Sequence, residues 1–109
     1  MTTAPDRGDF VYINFNPQSG HEQAGTRPGI VLSPKNFNTV TGFAVVCPIT
    51  RQQKGYPFEV ILPKGMVFEG VILVDQVKSF DWKARQLQIK GRVPDELVIQ
   101  CLDLIHLFL

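Results

Sequence analysis

Apolar and polar positions alternate through VYINF (11–15), which sets Val11, Ile13 and Phe15 on one face, as in a half-buried strand. GIVLS (29–33) and FAVVCPI (43–49) are short unbroken apolar runs, rich in β-branched residues and bounded by Gly and Pro. FEVIL (58–62), GVILVDQV (70–77) and RQLQI (85–89) continue the strand pattern. Turn chemistry separates these runs: NPQSG, the TG at 41–42, KGYP and PKG. Between the second and third runs, SPKNFNTV predicts a short helical turn, with Ser33 as its N-cap and Pro34 at the first helical position. The period changes after Val93. PDELVIQCLDLIHLFL opens with Pro94, carries Asp95 and Glu96 in its first turn, and has apolar residues at 97, 98, 101, 102, 104, 105, 108 and 109. Glu96, Gln100, Asp103 and His106 form a narrow polar stripe, so His106 reads as a solvent-edge residue. So wide an apolar face suggests a contact with a second subunit; a helix fully packed within one domain explains it too.

Five or six short strands and one closing helix predict a mainly β fold: a small, strongly bent, SH3-like antiparallel β-barrel with a short helix after the second strand and a C-terminal helix. The connections are too short for parallel crossovers. With 109 residues, 44% of them hydrophobic, the chain has material for one domain (1–109) and a small core. No segment approaches the roughly eighteen unbroken apolar residues of a membrane span. MTTAPDRGD lacks the basic and apolar regions of a secretion signal, so a cytoplasmic location is expected. Cys47 and Cys101 sit in apolar runs, far apart, and read as reduced buried thiols.

Net charge is only +1, but it is unevenly spread. Residues 1–50 balance, residues 51–92 carry eight Lys or Arg against four acids, and residues 93–109 carry three acids and no Lys or Arg. The middle of the chain can present a modest positive field to a polyanion.

The segments GDFVYINFNPQSGHEQAGTRPGIVLSP, CPIT, KGYPFEV and VILVDQVKS, in that order, resemble the MazF/PemK family of toxin endoribonucleases. The likeness is collinear from about Gly8 to Arg92, and the terminal helix also fits. It implies an SH3-like barrel that forms a homodimer, cuts single-stranded RNA at a short recognition sequence without a metal or other cofactor, and is inhibited by a cognate antitoxin protein. An acidic antitoxin tail would suit the positive 51–92 region as well as RNA does.

Cutting RNA without a metal requires the 2′-OH to lose its proton, the charge on the pentavalent phosphorus to be neutralised, and the 5′-oxygen to be protonated as it leaves. Arg27 suits the second task, as a planar, permanently charged fork; Pro28 behind it restricts its backbone to extended conformations. The resemblance places the phosphate-binding Arg and Thr of the family on Arg27 and Thr50. Taken alone, Arg27 reads as a surface ion-pair former and Thr50 as a strand-end hydroxyl bonding its own backbone. The family's acidic residue falls on Glu22, which either accepts the 2′-OH proton or orients Arg27. His21 is adjacent to it, and neighbours on an extended segment point to opposite sides, so Glu22 ranks above His21. Where some family members have a His before the catalytic Arg, this chain has Thr26, which leaves the general acid and base unassigned.

Substrate contacts are expected from Phe15, His21, Gln23, Lys54, Tyr56, Gln76 and Lys78. Phe80 or Trp82 is a further candidate platform on which an unstacked base could lie, although aromatics on strands are more often core residues. Gln76 and Lys78 share a face if DQVKS is extended. The acids are scattered and His21 and His106 fall in unrelated elements, which predicts no metal site. DNA, lacking the 2′-OH, should not be cut. The alternative is a non-enzymatic module of the CcdB type, which poisons DNA gyrase by binding it on the same barrel; such a binder has no need of Glu22, Arg27 and Thr50 together.

Overall fold

The computed structural model describes residues 3–15 and 26–109. The alternation at 11–15 becomes β1 (Asp9–Asn14), a strand buried on both faces and not on one. Val11 and Ile13 join Val31, Ala44, Val46, Phe80 and Trp82 in one apolar cluster, and Phe15 packs against it. Phe10, from the opposite face, packs with Ile30, Cys47, Ile49 and Ile72 beneath the C-terminal helix, α2 (Asp95–Ile105). The sheet therefore has a core on each side, and its strands can be apolar at consecutive positions.

The remaining strands are β2 (Thr26–Val31), β3 (Phe43–Thr50), β4 (Glu59–Ile61), β5 (Val71–Leu73), β6 (Lys78–Asp81) and β7 (Gln88–Arg92). All pairs are antiparallel, in the order β4-β5-β3-β2-β1-β7, with β6 also paired to β3. The path ends at β4 and at β7, so the expected barrel is an open, strongly bent sheet. β3 is its axis. Residues 43–46 pair with β6, Val46–Pro48 with β2, and Ile49 and Thr50 with β5.

Several elements depart from the periodicity. The helix after β2, α1 (Lys35–Thr41), starts one residue later than expected, with Pro34 at the N-cap position and no side-chain cap of its own. The Ser33 hydroxyl is drawn inward, donating to buried Asn38 and accepting from the Val45 N–H, so Asp6 receives the Lys35 N–H instead, at 2.9 Å. The run at 70–77 is a three-residue strand followed by a 3-10 turn, Val74–Gln76. Gln76 and Lys78 are therefore not consecutive outward positions of one strand. The strand expected at 85–89 begins only at Gln88, because Asp81 closes a turn by accepting the Ala84 N–H at 3.0 Å. KSFD, read for Lys78 and Phe80 but not counted among the strands, forms β6.

Helix α2 inserts Leu97, Val98, Cys101 and Ile105 into the core, while Glu96, Gln100, Asp103 and His106 face solvent as read. Ile99, Leu107 and Leu109 stay more than half exposed. Among the described residues no helix is long and apolar enough to cross a membrane.

Candidate active site

Arg27 stands where β2 outruns its neighbour. Thr26, Arg27 and Pro28 pair with β1, opposite Asn14, Ile13 and Tyr12, whereas pairing with β3 begins only at Gly29, opposite Pro48. Pro28, which has no N–H to donate, is tolerated on this one-sided stretch. Gly29 lets β2 lie close to β3: a Cβ there would fall 2.8 Å from Val46 Cγ1 and 3.0 Å from the Cys47 carbonyl oxygen. Arg-Pro-Gly thus fixes a half-buried guanidinium at an open strand end. Among the described residues the one ion pair joins Arg92 to Asp9, at 2.8 Å, and no carboxylate neutralises Arg27.

Thr50 closes β3, opposite Val71. Its Oγ1 accepts the Gln52 N–H at 3.2 Å, the local bond expected of a strand-end threonine. That bond uses a lone pair and leaves the hydroxyl proton available to donate. The residue that sets this position was not among those singled out in the sequence. Gly70 has φ +116°, and a Cβ on it would sit 2.0 Å from the Thr50 carbonyl oxygen and 2.8 Å from Arg51 Cα. Its only sequence signal was a glycine immediately before the apolar run VILV.

Arg27 and Thr50 share the wall of a groove of about 1160 Å³. Phe15, Lys54, Tyr56, Gln76, Lys78 and Phe80 line it too, and of the described residues expected at the site Trp82 alone does not reach this surface. His21, Glu22 and Gln23 lie outside the described residues. Gln52, Glu59, Asp75 and Arg85 also line the groove and were not anticipated. Glu59 organises the rim: its carboxylate accepts the N–H groups of Lys54, Gly55 and Tyr56 at 3.1 to 3.3 Å, and shapes the KGYP turn from outside it. Asp75, in the 3-10 turn, faces the Tyr56 hydroxyl. Its negative charge first, and then its hydrogen bond, raise the phenol above its ordinary value of 10.0, so Tyr56 remains a neutral donor.

The aromatics divide by exposure. Trp82 is buried and donates its indole N–H to the Asn38 carbonyl at 2.9 Å, which makes it a core residue and not a platform. Phe80 is buried as well, edge-on to Phe15 at 4.9 Å between ring centres, with Arg85 and Lys78 at 5.4 and 5.9 Å from its ring. Tyr56, 48% exposed, offers the open face that a base could stack on. Lys54, Lys78 and Arg85, three of the eight cations of residues 51–92, line the groove with Arg27, and the acids Glu59 and Asp75 line it as well, which leaves a small positive excess.

Cys47 and Cys101 are free and buried. Burial pushes both thiols up, that of Cys101 to about 12, which removes them as nucleophiles. Among the described residues no group of three or more His, Cys, Asp or Glu is placed to hold a metal ion.

The comparisons with known proteins converge. The profile of a family described as PemK-like, MazF-like toxin of type II toxin–antitoxin systems matches residues 6–109. Endoribonuclease toxin MazF of Escherichia coli K12 is 52% identical over 94 residues, 85% of this chain and 84% of that one. Endoribonuclease EndoA of Bacillus subtilis is 32% identical over 97 residues, 84% and 83% of the two chains. Among solved structures, a MazE–MazF complex from Deinococcus radiodurans superposes with a TM-score of 0.88 at 43% identity, covering 97% of this chain and 96% of the other. MazF alone from the same organism gives 0.88 at 42% identity, covering 95% and 94%.

Proposed function

The chain belongs to the PemK-like, MazF-like toxins of type II toxin–antitoxin systems, and from that premise we propose how it acts on RNA. It is an endoribonuclease toxin. Its substrate is single-stranded RNA, cut at a short sequence. The substrate's own 2′-oxygen attacks phosphorus, the O2′–P bond forms and the P–O5′ bond breaks. A 2′,3′-cyclic phosphate and a 5′-OH result. Arg27 holds the non-bridging oxygens with its fork, and the Thr50 hydroxyl donates to one of them; both gain strength as negative charge accumulates in the transition state. Glu22 takes the 2′-OH proton or orients Arg27. Lys54, Lys78 and Gln76 hold flanking phosphates and bases, Tyr56 gives a stacking face, and Phe15 lines the same groove; His21 and Gln23 keep the substrate-contact role that the family resemblance gives them.

One observation carries this reading: Arg27 and Thr50, from two different strands, line the wall of one groove, in which four cations outnumber two acids. No metal is needed when the nucleophile belongs to the substrate. The test is incubation of the purified protein with mixed-sequence RNA, and with matching DNA, in excess EDTA, followed by mapping of the cut ends. RNA cut at one short motif, with cyclic phosphate ends and intact DNA, is the expected result. Uncut RNA from folded protein across many sequences overturns it and makes a gyrase-binding module the next thing to test.

Two copies assemble in this reading, supported by the apolar Ile99, Leu107 and Leu109 left exposed on and after α2. Sedimentation should give a dimer. The partner is a cognate antitoxin, as in the complexes of Deinococcus radiodurans MazF with MazE. A cognate antitoxin and an RNA substrate both support action in the cytoplasm.

A further inference from the structure

A stacking platform needs a ring whose face is held, and Tyr56 sits on an exposed turn. Glu59 accepts the Tyr56 N–H and fixes the backbone, while Asp75 accepts from the hydroxyl. The hydroxyl lies on the axis about which a tyrosine ring turns. A hydrogen bond there fixes where the tip goes and leaves the ring plane free to rotate. The plane must be set by a contact at the ring's edge or face, and Phe58 supplies it, with ring centres 5.9 Å apart and planes at 52°.

Phe58 is only half-buried, and its own ring is braced in turn by Phe108, edge-on at 5.5 Å and 84°. Both partners of that contact are anchored. The Phe58 carbonyl accepts the Val74 N–H at 3.1 Å, which ties it to the 3-10 turn that carries Asp75. The Phe108 N–H donates to the carbonyl of Ile105, a core residue of α2, at 3.0 Å. Leu107 and Leu109, on either side, are far more exposed, so Phe108 is the one of the three turned back toward Phe58. The periodicity placed Phe108 on an apolar face for the core or a second subunit, and nothing in the sequence joined it to the groove. Neither Phe58 nor Phe108 lines the groove itself.

We infer that Phe108 is a positioning residue for RNA binding: through Phe58 it sets the ring plane of Tyr56, against which a base of the substrate stacks. The inference rests on the endoribonuclease reading above, with Tyr56 as its stacking face. The three rings form one row from the turn after α2 to the rim of the groove. Phe108 touches neither the phosphate-binding pair nor the substrate, so its loss acts on binding and leaves the chemical step alone.

The test measures KM and kcat on a short oligoribonucleotide built around a mapped cut. Phe108→Ala should raise KM about threefold at constant kcat, a part of the roughly tenfold cost of losing one base stack. Phe108→Tyr, which keeps the ring, should restore the wild-type KM. Phe108→Leu, which keeps the apolar bulk alone, should not. In a Tyr56→Ala background Phe108→Ala should add no further rise, since the ring it positions is gone. The inference is overturned by a wild-type KM in Phe108→Ala, by a rise that persists in full without Tyr56, or by rescue with Leu. Recovery of KM at protein concentrations that restore wild-type sedimentation also overturns it, because a lost assembly and not a turned ring is then the cause. Failure of the wild type to cut any RNA brings down the endoribonuclease reading itself, and this role with it.

Discussion

The two ends of the groove are built by opposite means. At the Arg27–Thr50 end, backbones approach more closely than a Cβ allows, at Gly29 against β3 and at Gly70 against the Thr50 carbonyl. At the Lys54–Tyr56 end, an exposed turn is held by side chains, with Glu59 gathering three N–H groups and Asp75 facing the Tyr56 hydroxyl. The first arrangement is rigid and suits groups that must meet a transition state. The second is adjustable and suits groups that must accept a polymer. Damage should therefore show in kcat at one end and in KM at the other.

The largest effects belong to the rigid end. Arg27→Ala and Thr50→Ala should each slow single-turnover cleavage by about a hundredfold or more, with an unchanged circular dichroism spectrum, as loss of one transition-state donor does. Near-normal rates in both would remove them from the site. Gly70→Ala comes next. The added methyl must displace Thr50, so cleavage should fall at least tenfold through kcat; overpacking by about 1–3 kcal/mol should also lower Tm. If Gly70 acts through Thr50, the substitution should add no further loss of rate in a Thr50→Ala background, once the folded fraction is taken into account.

Glu59→Ala should loosen the KGYP turn without touching the phosphate-binding pair. Roughly a tenfold rise in KM at constant kcat is expected, since hydrogen bonds to a charged acceptor contribute about 1.5–3 kcal/mol each when shielded and less on an exposed rim. A fall in kcat of the same size would erase the contrast between the two ends. The smallest effect is Tyr56→Phe, about two- to fivefold in KM. Its pH dependence has a definite sign. A phenol raised above 10.0 is favoured in its protonated form by the fold, so its contribution is complete below pH 10 and is lost as pH rises through the higher folded value. Wild type should lose RNA affinity more steeply than Tyr56→Phe in that alkaline range, by fluorescence anisotropy.

How much of this was legible follows from what each residue depends on. Arg27-Pro28-Gly29 and the Pro48–Thr50 segment could be read because each is a local motif at the end of a recognisable strand. Lys54, Tyr56, Gln76 and Lys78 were read from matching family segments, and they do reach the groove, although Gln76 comes from a 3-10 turn and not from an extended strand. Glu59, Asp75 and Gly70 were missed because their roles exist only across a tertiary contact. An acid at the start of β4 looks like any solvated charge until three N–H groups are found pointing at it. The strand expected at 85–89 failed for a related reason. RQLQI alternates correctly, but the Asp81 turn, with Gln86 in the left-handed region at φ +56°, delays re-entry into the sheet until Gln88.

The strand β3 runs through both apolar clusters, pairs with three other strands, and ends on Thr50. Its tip is therefore as durable as the molecule. Melting confined to the sheet edges should leave it standing, and heat should extinguish cleavage and fold at the same midpoint. A tip held this firmly would be restrained by a partner that covers it, for as long as that partner stays bound.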